Sequence, residues 1–96
     1  VTADEIPDPT ALSLETRLNG ERMQSARLDD LVFGVADLIA YLSTITVLEP
    51  GDVIATGTPG GVGTFRDPKV FMKAGDTIEV EISGIGVLSN PIADEA

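Results

Sequence analysis

From Leu12 the chain alternates, with Leu12, Leu14, Thr16 and Leu18 on one side and Ser13, Glu15 and Arg17 on the other, the period of two that a half-buried strand requires. Asn19-Gly20 follows at once. That dipeptide tolerates positive φ at both central positions of a two-residue turn, so Glu21 to Arg27 is expected to return antiparallel to the first strand. The period then changes. Leu31, Val35, Leu38, Ile39 and Leu42 recur at helical spacing, which predicts a helix from about Leu31 to Thr44, with Asp29 and Asp30 as acceptors for the free N–H groups at its start. Gly34 falls inside that span, where it costs about 1 kcal/mol relative to Ala unless another element approaches closely.

Beyond the helix, Glu49-Pro50-Gly51-Asp52 reads as a turn feeding a short buried strand, Val53-Ile54-Ala55, which ends in a glycine-rich loop. Lys73-Ala74-Gly75-Asp76 is a similar turn and feeds a strand from Thr77 to Ser83. The likeness of the two turns reflects shared turn chemistry and not a repeat. Ile78, Val80 and Ile82 are expected inward; Gly84-Ile85-Gly86 then turns the chain into a last strand, Val87 to Ser89. Pro7 and Pro9 exclude a helix at the start, so Val1 to Ala11 reads as a connecting segment. The order is hairpin, helix, strand, loop, hairpin: an α+β class, mostly β, with one packed helix.

Composition narrows the functional classes. Ninety-six residues suit one domain at most, and 43% hydrophobic content gives material for a core. Sixteen acids against six bases leave a net charge of −10, which repels a phosphate backbone and argues against nucleic-acid binding. Small anions are not excluded, because aimed N–H groups or a metal ion can make a local site positive. There is no cysteine, so disulfides are excluded and a cytoplasmic location is expected. No apolar run reaches the length of a bilayer crossing and no basic leader precedes one, so no membrane is expected. An opening Val1 suggests an internal cut or a processed start.

Thr56-Gly57-Thr58-Pro59-Gly60-Gly61-Val62-Gly63 packs four glycines, two threonines and a proline into eight positions. Such a loop can bring N–H groups and hydroxyls close to an anion without Cβ obstruction; the alternative is a tight connection between strands. It has no Gly-Lys-Ser/Thr ending and no helix pattern after Gly63, so it is neither a P-loop nor a dinucleotide fingerprint. Glu79 and Glu81 share a side of their strand and could share a cation, but with Ile78, Val80 and Ile82 inward they are expected on a solvated face. Asp29, Asp30 and Asp37 could also suggest a cation site; capping suits the first two, and the third faces away from the apolar stripe. With neither His nor Cys, no imidazole-activated nucleophile can be assembled, and the segment by itself lacks a catalytic engine.

Several stretches together resemble the fumarylacetoacetate hydrolase family: Val1 to Pro9, Leu18-Asn19-Gly20-Glu21 with Gln24 after it, Leu48 to Gly63, Gly75-Asp76, and Glu79 to Gly86 through Asn90-Pro91. The resemblance covers essentially the whole chain and is to the carboxy-terminal part of members of the hydroxyheptadienedioate isomerase and acylpyruvate hydrolase type. It implies part of a mixed β-sandwich roll, in a cytoplasmic and usually homodimeric enzyme. The implied cofactor is Mg²⁺, with Mn²⁺ or Ca²⁺ as alternatives, held by carboxylates. The implied substrates are 2-oxo acids and β-dicarbonyl compounds, hydrolysed, decarboxylated or isomerised in the breakdown of aromatic acids, with the metal stabilising a developing enolate.

The family's metal-binding carboxylates, active-site Lys and water-activating His-Glu pair have no counterpart in these residues. What carries over is Thr58, which in the family contacts the carboxylate or carbonyl end of the substrate, with Gly57 allowing close approach and Pro59 restraining the loop. The expectation is therefore a carboxy-terminal portion, residues 1–96, of one catalytic domain. It would supply substrate-binding Thr58 and Gly57 but no catalytic or metal-binding residue, and would need the amino-terminal part of that domain as partner. The rival expectation is a self-contained β-domain for binding or oligomerisation, with the loop purely structural.

Overall fold

The computed structural model describes residues 1–95. Four strands, β1 (Ser13–Leu18), β2 (Glu21–Arg27), β3 (Thr77–Ile82) and β4 (Gly86–Pro91), form one sheet in the order β2-β1-β3-β4, with every neighbouring pair antiparallel. The first turn follows its sequence: Asn19 has φ 51° and Gly20 φ 81°, and Leu18 faces Glu21 across it. The last strand runs longer than Val87 to Ser89 because Gly86, Asn90 and Pro91 also pair with β3.

Pairing sorts the faces. Leu14 lies opposite Ile82, Thr16 opposite Val80 and Leu18 opposite Ile78, which gathers the apolar positions on one side. The other side sets Glu15 against Glu81 and Arg17 against Glu79. There the expected solvated face is a polar cluster: the half-buried Arg17 guanidinium donates to Glu81 at 2.7 Å, Glu79 at 3.0 Å and Glu15 at 2.9 Å. These three carboxylates raise the Arg17 pKa, Glu81 most, then Glu79 and Glu15.

At the hairpin end the sheet is latched. Asp76, 5% exposed, accepts from Asn19 Nδ2 at 2.9 Å, and from Lys73 N–H and Nζ at 3.0 and 3.1 Å. Asn19 Oδ1 accepts from Thr77 N–H at 2.9 Å, closing the ring between the two turns. The Asn19 hydrogen bond, then those from Lys73, hold the Asp76 carboxyl down at about 2.

Between β2 and β3 runs a long arm. Its helix, α1, spans only Val35–Leu42, shorter than the Leu31–Thr44 expectation. Gly34 sits at its N-cap in extended conformation, not inside it, and Asp37 reaches back to accept from Gly34 N–H at 3.2 Å. Asp29 and Asp30 cap nothing in α1. They belong to a 3₁₀ turn, Leu28–Asp30, where Asp29 binds the Arg27 guanidinium and Asp30 accepts from Arg27 N–H. Arg27 therefore competes successfully for the acids that the sequence assigns to the helix.

Val53-Ile54-Ala55 is not a strand. A short apolar run needs a neighbour to complete a ladder, and none of the four strands pairs with it. Val53 is 94% exposed.

The chain's accessible surface is 7437 Å², against about 5,200 Å² for a folded monomer of this mass. Its radius of gyration, 15.9 Å, exceeds the roughly 12.5 Å of a closed domain of this length. No apolar side chain among the described residues is fully buried, and most of the exposed large ones, including Val32, Phe33, Tyr41 and Phe65, lie on the arm. The core face of the sheet exists, but these residues only partly cover it.

Candidate functional site

The glycine-rich loop reaches the apolar face of the sheet at β2, and an irregularity in the ladder prepares the contact. Thr16 pairs with Gln24 while Arg17 pairs with Arg22, leaving Met23 as an extra residue in a β-bulge. Arg66 Nη2 donates to the Met23 carbonyl at 2.5 Å and Arg66 Nε to the Gly61 carbonyl at 2.9 Å, so one guanidinium ties the loop to the bulge. Gly61 has φ 104°, and a Cβ there would run into the Met23 carbonyl oxygen. Only glycine permits this approach.

Gln24 provides the second tie. Its Nε2 donates to Thr58 Oγ1 at 2.8 Å and to the Pro59 carbonyl at 3.0 Å, while its Oε1 accepts from Thr16 Oγ1 at 3.0 Å. Thr16 is 9% exposed, so the chain of bonds runs from the sheet interior to the exposed Thr58. The bulge makes this possible: without it the register would continue and set Met23, not Gln24, opposite Thr16.

Beside these bonds opens a cleft of about 430 Å³. Its floor is Leu14 and Ala26, one wall carries Leu31, Phe33 and Leu38, and the other is Thr56 to Pro59. Thr58 and Gly57 thus lie together on one wall. Gly57 has φ 100° and nothing within 4 Å of where its Cβ would be, so this glycine serves conformation and leaves open space at the rim. Arg27 and Asp30 also line the cleft. Bonded to Asp29 at 3.0–3.2 Å, the Arg27 guanidinium has a raised pKa, and its hydrogen bond holds Asp29 below the usual carboxylate range. An apolar cleft with a hydroxyl and backbone groups at its rim can receive a small organic acid.

Among the described residues the carboxylates do not assemble a metal centre. No three His, Cys, Asp or Glu side chains among them come together as a ligand set. Glu79 and Glu81 are taken by Arg17, and Asp76 by Asn19 and Lys73.

Residues 1–93 match the family described as fumarylacetoacetate (FAA) hydrolase C-terminal. The chain belongs to the fumarylacetoacetate hydrolase family. It is 48% identical over 92 residues to the mitochondrial oxaloacetate tautomerase Fahd2a of Rattus norvegicus, covering 96% of this chain and 29% of that protein. It superposes with TM-score 0.92 and 43% identity on the fumarylacetoacetate hydrolase of Exiguobacterium antarcticum, covering 99% of this chain and 34% of the other. Maleylpyruvate hydrolase of Sphingobium sp. SYK-6, solved with manganese(II) and pyruvate, matches with TM-score 0.81 and 37% identity over 95% of this chain and 32% of its own. The chain spans about a third of the length of these family members. Its four-stranded sheet and α-helix match the corresponding part of these structural neighbours.

Thr58, Gly57 and Pro59 stand out in the sequence, whereas Arg66 carries no signal there and Gln24 belongs only to a family pattern. A bulge leaves no composition signal. The one available hint is a polar Gln among residues that must share a face with Leu14 and Leu18.

Proposed function

We propose that this chain is the carboxy-terminal portion, residues 1–96, of a single catalytic domain in a metal-dependent fumarylacetoacetate hydrolase family enzyme. The enzyme acts on a 2-oxo acid or β-dicarbonyl compound by C–C hydrolysis, decarboxylation or isomerisation, in the catabolism of aromatic acids. This portion supplies one wall of the substrate site through Thr58 and Gly57. The observation that carries the reading is Thr58 Oγ1 at the rim of an apolar cleft, held there by Gln24, in a chain whose relatives are named for oxaloacetate tautomerisation and maleylpyruvate hydrolysis.

The manganese and pyruvate of the Sphingobium structure support a divalent ion in the complete enzyme. The ion, Mg²⁺, Mn²⁺ or Ca²⁺, is held by carboxylates outside these residues. The exposed apolar arm supports a further partner, the amino-terminal part of the same domain, packed over Val32, Phe33 and Val53. A homodimer and a cytoplasmic location belong to the same reading, although vertebrate relatives are named as mitochondrial proteins. Among the described residues no helix is long and apolar enough to cross a membrane. The rival reading, a self-contained β-domain, requires a closed core, and the exposed arm opposes it.

The test assays the complete enzyme and this chain alone with Mg²⁺ against oxaloacetate, acylpyruvates and hydroxymuconate-type acids. The complete enzyme is expected to turn over one of them, and Thr58→Ala to weaken its apparent affinity about tenfold through loss of a hydrogen bond to a charged group. Turnover by the isolated chain would overturn the division of labour.

A further inference from the structure

The geometry points to Gln24 as a positioning residue that makes Thr58 a hydrogen-bond donor toward the substrate, an assignment that rests on the proposed role of Thr58. Pro59 O can only accept, so the Gln24 amide must present Nε2 to it. The flipped amide would set Oε1 against the Pro59 carbonyl, two acceptors face to face. Thr16 Oγ1, donating to Oε1 at 3.0 Å, supports the same orientation from the other side. Both Nε2 hydrogens are then committed, one to Pro59 O and one to Thr58 Oγ1.

The consequence falls on Thr58. Its oxygen already accepts from Gln24, and its contact with Pro59 O, 3.5 Å, is too long to hold its own proton well. The hydroxyl proton is therefore directed to an acceptor in the cleft. A carboxylate or carbonyl oxygen satisfies it; an ammonium group does not. Gln24 thereby selects the polarity of the ligand without touching it, and the β-bulge at Met23 is the backbone device that brings Gln24 under the loop.

The test is steady-state kinetics of the complete enzyme, with Mg²⁺ and whichever of the acids named above it turns over, for Thr58→Ala, Gln24→Glu, Gln24→Met and the double variant Gln24→Met with Thr58→Ala. Glu is nearly isosteric but accepts from the Thr58 hydroxyl and reverses its direction. Thr58→Ala and Gln24→Glu are each expected to raise KM about tenfold with kcat little changed, and Gln24→Met to raise it less. The double variant should be no worse than Thr58→Ala alone, because Gln24 acts through Thr58.

If Thr58→Ala raises KM while both Gln24 variants leave it unchanged, the role of Gln24 is overturned and that of Thr58 stands. If Thr58→Ala leaves KM unchanged, the substrate-wall reading fails and this proposal with it. An added penalty from Gln24→Met on top of Thr58→Ala would mark a purely structural role and overturn the proposal. Should Gln24→Glu fail to fold, the Gln24→Met cycle decides alone.

Discussion

The sheet and the arm that leaves it between β2 and β3 are stabilised in different ways. In the sheet each strand has a hydrogen-bonded neighbour, Arg17 gathers three carboxylates on one face, and Asn19 and Asp76 lock the turns at one end. The arm has one short α-helix, no strand, and ties to the sheet that include Arg66 and Gln24. The difference separates tasks: the sheet carries local stability, while the arm presents the cleft and depends on a few side chains and on whatever covers its apolar residues.

The largest effect is expected from breaking the arm's contact. Gly61→Ala would drive a methyl into the Met23 carbonyl at a positive φ, costing about 1–3 kcal/mol in overpacking. In the complete enzyme, activity should fall and amide hydrogen exchange should quicken in residues 56–66 while β1 to β4 keep their protection. Uniform loss of protection would show that sheet and arm form one cooperative unit.

A smaller effect is expected in the sheet, and it depends on pH. The Asp76 carboxyl sits at about 2 against an ordinary 3.8, so its ionised form stabilises the fold above pH 3.8, and that contribution is lost as pH falls through about 2. The stability difference between wild type and Asp76→Asn, followed by urea unfolding, should be constant above about pH 5 and close between about pH 4 and pH 2. A gap that persists at pH 2 would assign the effect to shape and not to charge.

The smallest effect is expected on the outer face. Arg17→Met leaves Glu15, Glu79 and Glu81 facing one another, so the urea midpoint should drop at low salt and recover partly in salt, which screens exposed like charges. Cleft chemistry should be unaffected, because Arg17 lies on the opposite face.

Where local chemistry dominates, structure was legible from sequence. Asn19-Gly20 needs only its own backbone preferences, and the alternation in β1 and β3 needs only two faces of different polarity. Val53 to Ala55 failed as a strand because an apolar triplet does not name its neighbour. The predicted Leu31 start of the helix failed because Arg27 took Asp29 and Asp30, a competition that spacing alone does not reveal. Glu79 and Glu81 are readable in sequence as sharing one side of β3, but their binding to Arg17 required the register between β1 and β3.

By itself, the sequence determined the hairpin, the strand faces, the glycine loop and the family, because each is written in turn residues, period or motif. The tertiary structure decided which way each polar side chain spends its hydrogen bonds. One extra residue at Met23 shifts a register by one position, brings Gln24 under Thr58, and so gives the loop a polarity. No local propensity encodes that, because it depends on the meeting of groups 34 and 35 residues apart in the chain.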